Sequence, residues 1–142
     1  MSGFEFIDAF QAYLLGNFQS ALKVLQRIRS PDENTKFKID VLTYRIYIAQ
    51  KKYGIVLDEV PEDTESIELK LLRITALFFT NPSKRTRLIE ELDDIMSGTL
   101  NPEDETALVL AATVYLNAGV RSSFHNIFSG SRKSTEDTAS RK

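Results

Sequence analysis

Tyr44, Arg45, Tyr47 and Tyr53 crowd into one stretch, LTYRIYIAQKKYGIVLDEV, residues 42–60. A phenol beside a guanidinium could move a proton or hold an anion, but tyrosine catalysis needs an acid–base partner or a cofactor nearby. No Ser–His–Asp set, thiol or glycine-rich loop accompanies these rings. The other chemical candidates are carboxylates: Asp58-Glu59, then Glu90-Glu91 with Asp93-Asp94. Shared acid–base work needs two carboxylates in different environments facing each other across a cleft. Adjacent residues on one helix point apart, and Lys84, Arg85 and Arg87 precede the second group as solvated or i,i+4 partners. Both groups read as solvated faces. His125, the sole histidine, follows Phe124 and reads as a surface or half-buried residue rather than a ligand. No enzyme constellation, metal site or cofactor is expected.

Composition narrows the class further. The chain has 142 residues, 42% hydrophobic and 27% charged, which is one domain's worth of ordinary globular sequence. Eighteen basic against 20 acidic side chains give a net charge of −2 and no basic footprint for nucleic acid. The absence of cysteine excludes disulfides and thiolate chemistry, and fits a reducing compartment. The start, MSGFEFIDAF, carries acids among its apolar residues and no basic residue, unlike a secretory signal. The most apolar stretch, 107–116, falls well short of the ~20 residues a membrane span needs. Asn81-Pro82-Ser83 is blocked as a glycosylation site by its proline. A cytosolic protein is expected.

Apolar residues recur at helical spacing along most of the chain. Phe4, Ile7, Phe10 and Leu14 mark a first helix, which Gly16 breaks; Phe18, Ala21, Leu22, Leu25 and Ile28 mark a second, ending before Pro31. Phe37, Val41, Tyr44 and Ile48 mark a third from about Asn34, and Tyr53, Val56, Leu57 and Val60 a fourth that stops at Pro61. Thr64 is the expected N-cap of a helix bearing Ile67, Leu71, Ile74 and Phe78. After Asn81-Pro82 come Leu88, Ile89, Leu92, Ile95 and Met96. Asn101-Pro102-Glu103 signals another start, followed by Leu108, Ala111, Ala112 and Tyr115 up to Gly119. A short stripe, Val120, Phe124, Ile127 and Phe128, precedes the polar tail 129–142, which is expected to be disordered.

Seven to eight helices joined by short turns must pack as antiparallel pairs. Their register is periodic: Gly16-x-Phe18-x-x-Ala21 is echoed by Lys52-Tyr53-x-x-Val56 35 residues on, and Leu88 falls another 35 beyond Tyr53. That interval and pattern predict an all-α, tetratricopeptide-like right-handed solenoid over residues 1–128, with pairs at about 4–30, 34–60, 64–97 and 102–128. An irregular helical bundle with coincidental spacing is the competing reading. In a solenoid the first helices of the pairs line the concave side, which suits the gripping of another protein. Register turns Phe6, Phe10 and Tyr13, then Lys38, Val41, Arg45 and Ile48, toward that side, with some of them drawn into the core where stripes overlap.

The segments DAFQAYLLGNFQSALKVLQRI, LTYRIYIAQKKYGIVLDEV, ELDDIMSG and ETALVLAATVYLNAG resemble, in order and spacing, the coatomer epsilon subunit family over residues 4–119. The resemblance implies a non-catalytic scaffold of the COPI vesicle coat. Such a subunit binds the C-terminal region of the coatomer alpha subunit and supports Golgi-to-ER and intra-Golgi transport. It further implies peripheral association with Golgi and vesicle membranes through the coat. Family members are about twice as long, and 120–142 does not resemble their next repeat. A truncated product with an exposed last apolar stripe and reduced stability or self-association is therefore expected. The alternative is a generic tetratricopeptide interaction module such as a chaperone adaptor. Those adaptors clamp carboxylates with Lys and Asn, whereas the corresponding positions here carry Phe6, Phe10, Val41 and Arg45.

Overall fold

The computed structural model describes residues 3–29, 31–98 and 105–119. Among them the chain forms seven α-helices and a 3-10 turn, with no strand, so the fold class is all-α as expected. The helices are α1 (Gly3–Leu14), α2 (Phe18–Arg27), α3 (Glu33–Ala49), α4 (Tyr53–Glu59), α5 (Ile67–Thr80), α6 (Arg85–Ser97) and α7 (Glu105–Ala118), with the 3-10 turn at Pro82–Lys84. Two compact units result, Met1–Pro61 and Glu62–Lys142. The start signal at 101–103, the stripe at 120–128 and the tail at 129–142 lie outside the described residues.

In the first unit α1 packs on α2 and α3, α2 on α3, and α3 on α4. The turn closing α1 is built on Gly16, whose φ of +81° is left-handed. Its amide donates to the Tyr13 carbonyl at 3.0 Å, and the Asn17 amide reaches back to Ala12 at 2.8 Å. This pair of bonds satisfies carbonyls that the helix end would otherwise leave open. The turn closing α3 repeats it 35 residues later. Lys51 has φ +63°, its amide donates to Ile48 at 3.0 Å, and the Lys52 amide donates to Tyr47 at 2.8 Å. Burial repeats as well: Ala21 and Val56 are both fully enclosed, and so, nearly, are Leu25 and Val60. The 35-residue period is thus a property of the backbone as well as of the letters.

Capping differs in detail from the sequence reading. Asp32 caps α3, accepting from the Thr35 amide at 2.8 Å, so the helix starts at Glu33. Hydrogen bonds from Thr35, first its hydroxyl and then its amide, hold the Asp32 carboxyl below the usual range. Ser66, not Thr64, caps α5: its Oγ accepts from the Leu69 amide at 3.3 Å, while Thr64 Oγ1 accepts from the Ser66 amide. A cap must stand directly before the first helical residue, and Ser66 precedes Ile67.

Three buried faces are also rotated from those expected. On α1, Phe4, Ile7 and Leu14 are 83%, 52% and 64% exposed; Ala9 is enclosed instead, with Phe6, Phe10 and Tyr13 half-buried around it. The helix is apolar almost all round, so two overlapping stripes fit one period, and the small Ala9 lets a neighbour approach closest. On α3 the enclosed residues are Val41, Leu42, Arg45 and Ile46. On α7 they are Ala107, Leu110, Ala111, Val114 and Tyr115.

In the second unit α5 packs on α6 and α7, and α6 on α7. Leu71, Leu72, Ile74, Ala76 and Phe78 of α5 meet a core that also holds Leu88, Leu92 and Met96 of α6. The buried Thr75 hydroxyl donates to the Leu71 carbonyl at 2.7 Å and so leaves no bare polar group. Here the turn departs from the earlier pattern. Asn81 has a negative φ of −133° and Pro82 opens the 3-10 turn, so no left-handed residue is used. Arg85 secures the corner, donating from Nε to the Phe78 carbonyl at 3.1 Å with its guanidinium 4.5 Å from the Phe78 ring.

Candidate functional site

In the first unit an arginine of α3 is set among aromatic rings of α1. Because α1 and α3 lie side by side, Arg45 meets the residues one repeat earlier. Its guanidinium carbon is 5.0 Å from the Tyr13 ring centroid and 6.0 Å from that of Phe10. Phe10 and Tyr13 are themselves 6.1 Å apart, as are Tyr13 and Phe18. Arg45 is 5% exposed. A cation so enclosed loses hydration, and the negative faces of aromatic rings offset part of that loss.

Of the seven positions that repeat register turned inward, the structure brings Phe10, Tyr13 and Arg45 into this one cluster. Val41, 6% exposed, is enclosed within the unit. Phe6 is half-buried against the core of Ala9, Ala21, Leu25 and Leu42. Lys38 is exposed and Ile48 half-buried, so these two, with the outer edges of Phe6, Phe10 and Tyr13, make up the accessible part of the set. Arg45 and Val41 present almost nothing to a partner. They shape the wall.

Burial first, then the charges of Glu59 and Asp40, push the Tyr44 phenol up to about 12. The carboxylates Asp58, Glu59, Glu90, Glu91, Asp93 and Asp94 are all exposed. Asp93 has a structural task the sequence did not suggest: Tyr115 of α7 donates to its Oδ1 at 2.6 Å. A pair 22 residues apart carries no local signal. Among the described residues no group of acidic or imidazole side chains is placed to hold a metal ion, and no helix is long and apolar enough to cross a membrane. His125 lies outside the described residues.

Comparison with known proteins agrees with the repeat pattern. The profile of the family described as coatomer epsilon subunit matches residues 5–139, continuing past Gly119, where the resemblance read from the sequence stopped. The chain is 35% identical over 102 residues to coatomer subunit epsilon of Caenorhabditis elegans, covering 72% of this chain and 35% of that protein. It is 22% identical over 105 residues to coatomer subunit epsilon-2 of Arabidopsis thaliana, covering 74% of this chain and 35% of that one. The chain therefore spans about a third of the length of the curated relatives it matches.

Proposed function

The chain belongs to the coatomer epsilon subunit family, and on that premise we propose that it is a non-catalytic scaffold of the COPI vesicle coat. In this reading it binds the C-terminal region of the coatomer alpha subunit and supports retrograde Golgi-to-ER and intra-Golgi transport. It works in the cytosol and reaches Golgi and vesicle membranes only peripherally, through the coat. The observation that carries the proposal is the paired turn at Gly16 and Lys51, which sets α1 and α3 side by side with like positions in register. Adjacent first helices of repeats are the element such modules use to hold a partner segment.

Lys38 and Ile48, with the edges of Phe6, Phe10 and Tyr13, are the proposed contacts; Val41 and Arg45 fix the wall beneath them. A half-buried aromatic set beside one exposed cation is the composition in which a few anchors dominate affinity. The test is affinity for the purified C-terminal region of the alpha subunit, measured by calorimetry, for the parent chain and for Lys38→Glu with Ile48→Ala. A loss of about tenfold or more, with circular dichroism unchanged, is expected for the variant. Undiminished affinity in a folded variant removes this face from the interface; no binding by the parent chain removes the partner assignment.

A further inference from the structure

In the second unit, α5 and α6 present the same short pattern to one cleft. Along α5 run Lys70, Arg73, Ile74 and Leu77; along the 3-10 turn and α6 run Lys84, Arg87, Leu88 and Glu91. In both, Lys, Arg and an aliphatic residue stand at i, i+3 and i+4, the spacing that puts side chains on one helical face. The cleft they enclose has a volume of about 360 Å³. Ile74 and Leu88 are nearly buried and form its floor, with the half-buried Leu77 accessible beside them.

The charge in this cleft is out of balance. Four cations face two carboxylates, and one of those, Glu62, is already taken by Arg73 at 2.9 Å. Lys70, Lys84 and Arg87 are exposed, and among the described residues none of the three pairs with a carboxylate. Like charges brought together on facing helices repel, and this occurs in a chain whose net charge is −2. An anionic occupant would relieve that repulsion.

The dimensions select the occupant. From Lys70 to Leu77 the α5 wall runs about 10 Å at 1.5 Å per residue, the length of about three extended residues at ~3.3 Å each. One small anion could not reach both ends or use the aliphatic floor. We infer that the α5–α6 cleft binds an acidic extended peptide segment that carries an aliphatic residue between its carboxylates. Carboxylates would bridge to Lys70, Lys84 and Arg87 while the aliphatic side chain seats on Leu77 between Ile74 and Leu88. The inference does not depend on the partner assigned to the first unit, because the cleft and the first-unit face share no residue and are read with different probes.

The experiment is fluorescence anisotropy of the full chain with a labelled Asp-Glu-Leu-Glu-Asp peptide, beside Asp-Glu-Gly-Glu-Asp and Lys-Arg-Leu-Arg-Lys. Saturable binding of the first is expected, weakened about threefold or more by the glycine replacement and abolished by charge inversion. Lys70→Glu with Arg87→Glu should lower affinity at least about tenfold, Lys70→Arg with Lys84→Arg should retain it, and circular dichroism should show all variants folded. Absence of saturable binding overturns the inference, as does full binding by Lys70→Glu with Arg87→Glu. Equal affinity for the glycine peptide overturns the aliphatic seat. Sedimentation with phosphatidylcholine–phosphatidylserine vesicles, without peptide binding, would replace the peptide by a lipid surface and overturn it too.

Discussion

The Arg45 guanidinium carbon stands 5.0 Å from the centre of the Tyr13 ring, one helical turn before Ile48, the residue equivalent to Tyr13 in the next repeat. Arg45 is 5% exposed, so replacing it with the unbranched methionine keeps most of the packed stem and removes the guanidinium from the Phe10 and Tyr13 rings. We predict that Arg45→Met lowers unfolding free energy by about 2 kcal/mol. In a double-mutant cycle with Tyr13→Leu, measured by urea denaturation, a coupling of about 1 kcal/mol is expected. Additive effects would mean that the ring contributes packing alone.

Gly16 and Lys51 occupy equivalent left-handed positions, but only one is a glycine. A β-carbon built on Gly16 meets nothing within 4 Å, so the cost of Gly16→Ala is conformational rather than steric. A loss of about 1–2 kcal/mol is expected there. Lys51→Gly should instead gain about 0.5–1 kcal/mol, because it removes the same backbone penalty. Paired thermal melts decide the matter: shifts of opposite sign support the equivalence, and a destabilised Lys51→Gly contradicts it.

These two turns also show what the letters could reveal. The period was legible from Phe18, Ala21, Tyr53 and Val56, since aromatic and small residues at fixed offsets reflect how paired helices cross. Lys51 was illegible as a turn residue, because lysine has no left-handed preference and only its place in the repeat gives it away. The faces of α1 and α3 are ambiguous in the sequence for a related reason. With apolar residues on nearly every side of α1, periodicity admits Phe4-Ile7-Leu14 as readily as Phe6-Ala9-Tyr13, and only a neighbouring helix chooses. An arginine in the enclosed face of α3 reads as a surface residue until Phe10 and Tyr13 are placed against it. The α5–α6 cleft had a visible trace in the repeated Lys-x-x-Arg-aliphatic spacing, but two helices had to be set face to face before it meant anything.

Tyr115 and Asp93 tie α7 to α6 through a single hydroxyl at 2.6 Å. Tyr115 is enclosed and its carboxylate partner is exposed, so Tyr115→Phe keeps the ring packing and loses only the charge-assisted bond. A decrease of about 1–2 kcal/mol in unfolding free energy is expected by urea denaturation. Asp93→Asn should recover part of that bond, whereas Asp93→Ala should cost at least as much as Tyr115→Phe, because it leaves the enclosed hydroxyl without its acceptor. Equal stability of Tyr115→Phe and the parent would reduce the contact to a surface accident.

Two phenols, Tyr44 and Tyr115, set an alkaline limit on the fold. Tyr44 is pushed from 10.0 up to about 12, by burial first and then by Glu59 and Asp40, and burial with the Asp93 bond raises Tyr115 in the same direction. A raised folded value means that the folded state holds its proton longer than the unfolded chain does. The associated stability is whole below about pH 10 and falls as pH climbs from there through about 12. Tyr44→Phe should therefore flatten the decline of melting temperature across that window, and tyrosinate absorbance should lose a component titrating near pH 12. Lysines titrate in parent and variant alike, so the difference between the two curves isolates the phenol. An identical alkaline decline in both would show that Tyr44 ionises as freely in the folded chain as in the unfolded one.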